Sequence, residues 1–553
     1  MDIVVIGGGA TGLKAAARVR RRDEEANITV VEAGKYASMA RCGLPYFVGG
    51  LVHELDNLRE TTYGAVRDEK YFKKLLNIDV LTLTRAEEID RKRKIVKIKR
   101  ADGCKDELNY DYLVLSTGAK PVKLNIPGID AEGVFNLFDP EDAEKIIEKW
   151  ENEDLENAVI IGGGLIGLES AEALVNIGLR VTIVELMEHI APTLLDKDIA
   201  MLVENHLKEK GVNLLTSTRV TKILTKNGIV SGVDVGKEIP ADIVITAVGV
   251  RPNVDLAVKA GLEIGETGAI KVNEYLQTSD KYIYAGGDCV ENVDLITGKK
   301  VFVPLGSIAN KHGRVIGNNI TGSKDRFPGV LNTTIFKVFD FTVARTGLTE
   351  KRARELGYNA YSVATPGPDR AHYYPGAKYI RLKVIVDRDT GKILGAQGAG
   401  LGVIDKRIDV LITAIHAGFT IDQISNLDLA YAPPYSAALD VVITAANTAR
   451  NKRDGLVEGI TVSEAKEKLE KEDVVILDVR AENEFKQKRI ESDKVIHIPI
   501  LELRDRINEI PRDKEIIIIC QLGLRSYIAS RILKGNGFKN VKIIDGGFAF
   551  WFD

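Results

Sequence analysis

The chain has 553 residues and a mass of 60.6 kDa, which is too long for one hydrophobic core and predicts about three to five domains. Lys and Arg number 76 and Asp and Glu 79, a net charge of −3, so we expect no nucleic-acid partner and no anionic membrane surface. Four widely spaced cysteines exclude a disulfide scaffold and favour a reducing cytoplasm. The seven histidines show no metal-ligand spacing, and no metal is expected.

The first predicted element is a short buried strand at residues 3–6, rather than a signal peptide, and a glycine turn follows it directly. Gly7, Gly9 and Gly12 give the pattern G-x-G-x-x-G before a helix, and a second strand ends at Glu32. Such glycines let a pyrophosphate approach the start of the helix, and the carboxylate accepts hydrogen bonds from ribose hydroxyls. This segment therefore predicts a dinucleotide-binding domain.

The same arrangement recurs in the middle of the chain. After a strand at 158–161 come Gly162, Gly164 and Gly167, then a helix to about residue 177 and a strand that ends at Glu185. Two complete copies are a much stronger indication of dinucleotide binding than one. Leu186 and Met187 follow Glu185 where a 2′-phosphate would need a cation. We therefore predict NADH rather than NADPH at this second site.

Three further predicted strands end in small residues that let the backbone approach a ligand. Thr117 and Gly118 end the first, Gly249 the second and Asp288 the third. The simplest arrangement is an N-terminal dinucleotide domain that is interrupted by a second one. Beyond it the pattern predicts strands near 331–338 and 379–386, helices near 403–417 and 435–447, and a charged linker at 451–458. The remainder predicts a small α/β domain with helices at 463–470 and 525–535 and strands at 474–479, 515–519 and 541–544.

Over roughly residues 1–450 these ordered motifs resemble the two-dinucleotide flavoprotein disulfide reductases. The closest resemblance is to the single-cysteine branch that contains coenzyme A-disulfide reductases and NADH oxidases. It implies FAD at the first fingerprint, NADH at the second, Asp288 on the flavin ribityl chain, and Leu165 near the flavin face. The implied fold class is α/β, with two Rossmann-like dinucleotide-binding domains, an α+β dimerisation domain that forms a homodimer, and a C-terminal rhodanese-like α/β domain. The implied boundaries are 1–115 and 245–324 for FAD, 116–244 for NADH, 325–450 for dimerisation, 451–458 for the linker and 459–553 for the last domain.

Cys42 is the sharpest local feature. Reductases with an internal disulfide carry C-x4-C here, whereas this chain has Phe47 at the second position. Cys42 must therefore pair with an external partner: a small thiol, a persulfide, or oxygen as a sulfenic acid. It acts as a thiolate, which needs a lowered pKa. Arg41 stands where the family commonly has Asn, and we expect its charge to lower that pKa further.

The resemblance also suggests the external partner. Ala10 stands where peroxidases of the family have a histidine, and an arginine-rich helix follows it. By matched position, Arg18 and Arg21 hold the phosphates of coenzyme A, with Lys74 as a weaker third residue and Ser38 in the same set. The alternative is a solvated basic helix face.

Two tyrosine-bearing stretches, 371–376 and 431–436, lie farther along the chain. In the coenzyme A branch, tyrosines of the partner subunit approach the redox cysteine. We favour Tyr374 and Tyr435, whose phenols would donate to the leaving thiolate. The alternative is ordinary core or interface aromatics.

The C-terminal segment resembles a rhodanese, a sulfurtransferase domain. Cys520 follows an apolar strand, and Arg525 comes five residues later at the start of a helix, a C-x4-R spacing. Backbone N–H groups of such a loop stabilise a thiolate or persulfide. The resemblance gives Asp478 a structural role and Arg480 a substrate-side role, and Arg489 replaces a frequent histidine.

The predicted function is reduction of coenzyme A persulfide, polysulfide or coenzyme A disulfide by NADH through FAD and Cys42. Two alternatives stay open. One is an NADH oxidase in which Cys42 cycles through a sulfenic acid, and the other is a rhodanese-type sulfur carrier in which the flavin part is regulatory.

Overall fold

The structure is a computed structural model that describes residues 1–551. The chain forms two compact units. The first comprises residues 1–186 and 215–332, and the second comprises residues 187–214 and the chain from residue 333 onward. Within residues 1–551, no helix is long and apolar enough to cross a membrane.

Strands and short helices alternate through residue 332. The strands are β1 (Asp2–Ile6), β2 (Asn27–Val31), β3 (Asp79–Leu81), β4 (Thr84–Asp90), β5 (Ile95–Arg100), β6 (Lys105–Asn109), β7 (Tyr112–Leu115), β8 (Ala119–Pro121), β9 (Val134–Phe135), β10 (Asn157–Ile161), β11 (Arg180–Val184), β12 (Asn213–Leu215), β13 (Lys222–Lys226), β14 (Ile229–Asp234), β15 (Glu238–Pro240), β16 (Ile243–Thr246), β17 (Val250–Pro252), β18 (Ile283–Ala285), β19 (Asn292–Val293) and β20 (Lys300–Val301). The helices are α1 (Ala10–Arg20), α2 (Leu44–Val48), α3 (Glu69–Leu76), α4 (Pro140–Asn152), α5 (Leu165–Asn176), α6 (Lys197–Glu209), α7 (Asp255–Lys259) and α8 (Gly306–Ile320). Helix α6 belongs to the second unit.

The first dinucleotide domain is built on a parallel sheet with the order β18-β7-β1-β2-β3. Strand β18 follows the second fingerprint in sequence but pairs with β7 in the first sheet. The chain therefore leaves this sheet and returns to it after the second fingerprint. Both faces of this sheet are buried, because a separate hydrophobic cluster packs on each face.

The second dinucleotide domain repeats the plan. Strand β10 pairs in parallel with β11 on one side and β16 on the other, and β16 pairs with β9. Its core contains Val159, Val184, Ile223 and Val244. Both fingerprints thus lie at the carboxyl end of a central parallel strand, where α/β sheets bind their ligands.

The second unit contains two unlike sheets. Its further strands are β21 (Thr334–Val338), β22 (Phe341–Gly347), β23 (Ala360–Pro368), β24 (Tyr379–Asp387), β25 (Ile393–Gly400), β26 (Gly459–Ile460), β27 (Val474–Asp478), β28 (Val495–His497), β29 (Glu515–Ile519) and β30 (Val541–Ile544). Its further helices are α9 (Glu350–Glu355), α10 (Asp405–His416), α11 (Ile421–Ile424), α12 (Val441–Arg453), α13 (Val462–Lys471), α14 (Glu482–Gln487) and α15 (Leu524–Gly535). The order β21-β22-β25-β24-β23 is antiparallel, and α10 and α12 share its core. The order β26-β30-β29-β27-β28 is parallel.

Helix α12 differs from its prediction at both ends. It begins at Val441, because Asp440 caps it by accepting from the Val442 N–H and the preceding Pro433 and Pro434 cannot donate helical hydrogen bonds. It continues to Arg453, so residues 451–453 are helical rather than part of a linker. The connection to β26 is correspondingly shorter than the predicted 451–458.

Candidate active sites

The first glycine turn leaves space at the start of α1. Gly7 has φ +106°, and a side chain there would collide with the carbonyl oxygen of Ser116. A Cβ at Gly9, by contrast, would meet nothing within 4 Å. The Glu32 carboxylate accepts from the Gly8 N–H at 2.6 Å. The tight turn and the open approach are what a pyrophosphate needs.

The second turn has the same construction. Gly162 has φ +107°, and a Cβ at Gly164 would again meet open space. Glu185 is buried, and its carboxylate accepts from the Gly163 N–H at 2.7 Å. The next side chain, Leu186, is exposed. Both predicted fingerprints therefore form the expected geometry.

Asp288 is the residue that the resemblance assigns to the ribityl chain of the flavin. Among the described residues, its Oδ1 is buried and has no hydrogen-bond partner. Burial raises the pKa of Asp288 to about 6, with a smaller opposing effect of Arg41. The other two residues predicted at this site follow strand β7. Thr117 donates to the Asn253 carbonyl at 2.6 Å, and Gly118 has φ +69°. An unpaired buried carboxylate oxygen fits a ligand that brings hydroxyl donors, as the ribityl chain of FAD does.

Cys42 lies in a single 3-10 turn, Arg41–Gly43, directly before α2. Its side chain is exposed, and all four cysteines are free. Tyr46, one turn later, donates to Glu169 Oε1 at 3.5 Å, and burial followed by the charges of Glu169 and Glu172 raises the pKa of Tyr46 to about 12. A phenol held neutral beside Cys42 is a feature that the sequence analysis missed, although it lies four residues from the cysteine.

Arg41 has a partner of its own. Its guanidinium lies 3.2 Å from the Asp139 carboxylate and over the ring of Phe138. The expected effect of Arg41 on the thiol is therefore shared with an acidic neighbour.

The arginines at the end of α1 lie in two different environments. Arg20 is buried and donates to main-chain carbonyls that include those of Leu76, Ala26 and Asn77, so it serves the fold. Arg18 is half-buried and donates to Asn318 Oδ1 at 2.5 Å.

A fourth guanidinium joins this basic surface from α8. Desolvation, followed by the charges of Arg314, Arg22 and Arg21, lowers the pKa of Arg18. Arg314 was missed, because the sequence contains no signal that α1 and α8 are neighbours. Of the other predicted coenzyme A residues, Lys74 is exposed on α3, and the Ser38 N–H donates to the Gly8 carbonyl at 2.9 Å.

The two tyrosine stretches lie together. The Ala371 N–H donates to the Pro433 carbonyl at 3.1 Å, which links residues 371–376 to 431–436. Tyr374 is 38% exposed and Tyr435 71% exposed. Both predicted phenols are therefore accessible and are not core residues, and their contact with the substrate or the second subunit stays a prediction.

The Cys520 loop forms a cradle at the start of α15. Cys520 is 1% exposed, and its Sγ accepts from the backbone N–H groups of Gly523 at 3.1 Å and Ser526 at 3.3 Å. The Ser526 hydroxyl is buried and without a hydrogen-bond partner in the described part of the chain. Converging donors of this kind stabilise a thiolate or its persulfide.

Two arginines near this loop are both paired with carboxylates. Arg525 makes two hydrogen bonds to Glu484, at 2.6 and 2.7 Å. Arg480 is buried and donates to the Asp478 carboxylate at 2.7 Å, and its substrate-side role stays a prediction. Arg489 lies at the surface, 3.0 Å from Glu491. Glu484 was missed because it is 41 residues away from Arg525 in sequence.

Three segments of the chain match models of known protein families. Residues 1–302 match the family model described as pyridine nucleotide-disulphide oxidoreductase, and residues 333–442 match the dimerisation domain of the same family. Residues 461–553 match the rhodanese-like domain.

Individual relatives resemble different lengths of the chain. The solved structure of an NAD-dependent persulfide reductase from A. fulgidus is 64% identical, with a TM-score of 0.96 and complete coverage of both chains. The NAD(P)H coenzyme A polysulfide/persulfide reductase of Pyrococcus horikoshii is 40% identical over 80% of this chain and 97% of its own. An NADH oxidase of Methanocaldococcus jannaschii is 37% identical over 82% of this chain and 99% of its own. The chain belongs to the pyridine nucleotide-disulphide oxidoreductase family, whose cofactors are FAD and NAD(P)H, and it carries a rhodanese-like domain at its C-terminal end.

Proposed function

We propose that the protein uses NADH to reduce coenzyme A persulfide, polysulfide or coenzyme A disulfide. The observation that carries this proposal is the exposed, solitary Cys42 before α2, with Phe47 where an internal disulfide would need a second cysteine. The names of the persulfide reductase relatives support the same substrate class. FAD, when bound, accepts hydride from NADH and supplies the two electrons that cleave a sulfur–sulfur bond.

The Cys42 thiolate attacks the inner sulfur of coenzyme A persulfide. A Cys42–coenzyme A disulfide forms, and the outer sulfur leaves as hydrogen sulfide after it takes up a proton. Two electrons then convert the mixed disulfide into the Cys42 thiolate and coenzyme A thiol. The overall change consumes one NADH and one proton for each persulfide.

The binding roles follow the basic and aromatic surfaces. Arg18 and Arg21 hold the phosphates of coenzyme A, with Lys74 and Ser38 in support. Tyr374 and Tyr435 of the second subunit of a cytoplasmic homodimer donate protons to the leaving thiolate. The dimerisation domain and the accessibility of both tyrosines support this arrangement.

The C-terminal domain takes part as a sulfurtransferase. Cys520 receives sulfane sulfur as a persulfide, the backbone N–H donors stabilise its charge, and Arg525 orders the loop at the start of α15. Sulfur carried in this way supplies the substrate that is cleaved at Cys42. The intact N–H cradle around Cys520 supports an active rather than a degenerate domain.

NADH is the preferred reductant. Glu185 is held against the second glycine turn and is followed by exposed Leu186 and Met187. A carboxylate at the ribose repels a 2′-phosphate, and no cation follows it in sequence.

Replacement of Cys42 by Ser tests the proposal. We expect NADH consumption with coenzyme A persulfide to fall by about 10³-fold or more, because the nucleophile is lost. FAD content should not change, since Cys42 is not among the residues assigned to the cofactor. Cys104→Ser, at the second exposed cysteine, is the matched control and should keep full activity. Persulfide reduction that persists in the Cys42 variant would overturn the proposal.

An NADH oxidase is the second candidate, because an exposed single cysteine also suits a sulfenic acid and one relative bears that name. Oxygen-dependent NADH consumption that exceeds the persulfide-dependent rate would favour it. Against it stands the rhodanese-like domain, for which oxygen reduction has no use. Sulfur transfer that survives removal of FAD would instead favour the sulfur-carrier alternative.

A further inference from the structure

The charge of the cradle around Cys520 is balanced. Arg525 and Glu484 form a two-bond ion pair in which the carboxylate also accepts from the Ala481 N–H at 2.9 Å. The Arg525 guanidinium holds the pKa of Glu484 below its usual range, so this carboxylate stays ionised at neutral pH. The pair therefore brings one positive and one negative charge to the same place.

The second arginine near the loop is balanced as well. Arg480 is 1% exposed, and its guanidinium donates to both oxygens of the buried Asp478 carboxylate. Its charge does not face solvent. An incoming anion therefore meets no unbalanced arginine at either position.

The rim of the loop carries no charged side chain between Cys520 and Arg525 and exposes two apolar side chains nearby. Residues 521–524, between Cys520 and Arg525, are uncharged. Leu524 is 68% exposed, and Ile528, one helical turn later on α15, is 42% exposed. These side chains suit an uncharged organic arm better than a small, highly charged ion.

Sulfane sulfur donors differ in the charge that they bring. An organic persulfide reacts as R–S–SH with the Cys520 thiolate: a bond forms between Sγ and the outer sulfur, the S–S bond of the persulfide breaks, and one singly charged thiolate R–S⁻ leaves. Thiosulfate reacts in the same way, but it arrives as a dianion and sulfite leaves as a dianion. In both reactions the sulfur atom moves without net oxidation or reduction. In the Cys520 loop the arginine charges are already neutralised, so only the backbone N–H donors stabilise an anion. They suffice for a singly charged thiolate but not for the dianions thiosulfate and sulfite.

We propose that Glu484 sets the donor specificity of Cys520 by neutralising Arg525, so that the cradle accepts persulfides of organic thiols and rejects thiosulfate. This inference deepens the proposed sulfurtransferase role and rests on it. Glu484 is a positioning and charge-setting residue rather than a catalytic one, since it acts through Arg525.

Glu484→Gln in the full-length holoenzyme tests the inference. Persulfide formation at Cys520 is measured by mass spectrometry with glutathione persulfide and with thiosulfate as donors. We expect kcat/KM for thiosulfate to rise about tenfold relative to that for the persulfide, because one unit charge is removed near the sulfur. Glu484→Asp keeps the charge and should restore the original preference. The matched control is Glu482→Gln on the same helix, whose carboxylate pairs with Lys486 and not with Arg525.

A second measurement separates charge from damage to the fold. The Cys520 peptide is followed during reaction with neutral iodoacetamide and anionic iodoacetate. The iodoacetate-to-iodoacetamide rate ratio should rise about threefold in Glu484→Gln, whereas a distorted loop would alter both rates together. An unchanged donor preference and an unchanged ratio would overturn the inference. Failure of the wild-type protein to form a Cys520 persulfide with any donor would instead overturn the proposed sulfurtransferase role.

Discussion

A buried carboxylate without a hydrogen-bond partner lowers the stability of an apoprotein, but it can bind a cofactor hydroxyl in the holoenzyme. Asp288 has such an oxygen, and its pKa is raised to about 6 by burial. Between about pH 4 and pH 6 the folded apoprotein therefore holds a proton that the unfolded chain has lost. The stability of the apoprotein falls as the pH rises through this window, and it stays reduced above it.

Asp288→Asn should make the apoprotein more stable above pH 6, by an amount on the order of 2 kcal/mol. Below about pH 4 the difference should vanish, since both side chains are then neutral. The same change should weaken FAD retention about tenfold, because the charged acceptor for a ribityl hydroxyl is lost. Thermal unfolding of the apoproteins at pH 4 and pH 8 and the flavin absorbance of the purified variant measure the two effects. A variant that is less stable at both pH values, with FAD unchanged, would contradict this prediction.

At the scale of elements, one buried arginine on α10 joins the two tyrosine stretches. Arg407 donates to the Asp440 carboxylate at 2.7 Å and to the Asp369 carbonyl at 2.6 Å. The Ser436 hydroxyl donates to the same carboxylate at 2.8 Å. Burial alone would raise the pKa of Asp440, but Arg407 together with the hydrogen bonds from the Val442 N–H and the Ser436 hydroxyl outweighs it and holds the pKa below its usual range. This ion pair therefore stabilises the segments next to both tyrosine stretches, in addition to the hydrogen bond between Ala371 and Pro433.

Arg407→Met should lower the free energy of unfolding by about 3–5 kcal/mol, because it leaves Asp440 buried and unpaired. Turnover with coenzyme A persulfide should fall more than FAD content does, since the tyrosine stretches loosen while the flavin site lies on other elements. Denaturant unfolding and steady-state kinetics measure the two effects. Arg352→Met removes an exposed partner of Glu355 and is the control. It should change the free energy of unfolding by no more than about 0.5 kcal/mol and leave turnover unchanged. Equal behaviour of the two variants would refute the role given to Arg407.

At the scale of the whole molecule, the proposal requires two chains for each reductase site. Cys42 belongs to the first unit, whereas Tyr374 and Tyr435 belong to the second. The family's dimerisation domain forms most of the second unit before the rhodanese-like domain. A homodimer in which each cysteine uses the tyrosines of the other chain can be tested by mixing inactive variants.

Cys42→Ser and Tyr435→Phe chains, each of low activity, should regain activity when they are unfolded together and refolded in equal amounts. Half of the dimers are then mixed, and each mixed dimer has one intact pair of residues, so recovery should approach about a quarter of the wild-type rate. NADH consumption with coenzyme A persulfide is the measurement. No recovery in mixtures shown to contain mixed dimers would exclude a site shared between chains.

Some strands could be predicted from the sequence and others could not, and the difference has a physical reason. Strands β29 and β30 lie where the pattern predicted them, because apolar runs and turn residues act locally. Strands β22, β23 and β25 were missed, since their small and mixed residues carry little periodicity and their pairing supplies the stability. Domain boundaries and site roles stay predictions, whereas the fold class and the family are confirmed.

The sequence by itself determined the two glycine fingerprints, the solitary Cys42 and the C-x4-R loop of Cys520, because each is a pattern of near neighbours whose chemistry is local. Only the tertiary structure decided which charges are available. It brings Arg314 to Arg18, engages Arg20 with carbonyls, leaves Asp288 unpaired and balances Arg525 with Glu484. These outcomes depend on contacts between residues far apart in the chain, and electrostatic interactions follow distance in space rather than in sequence.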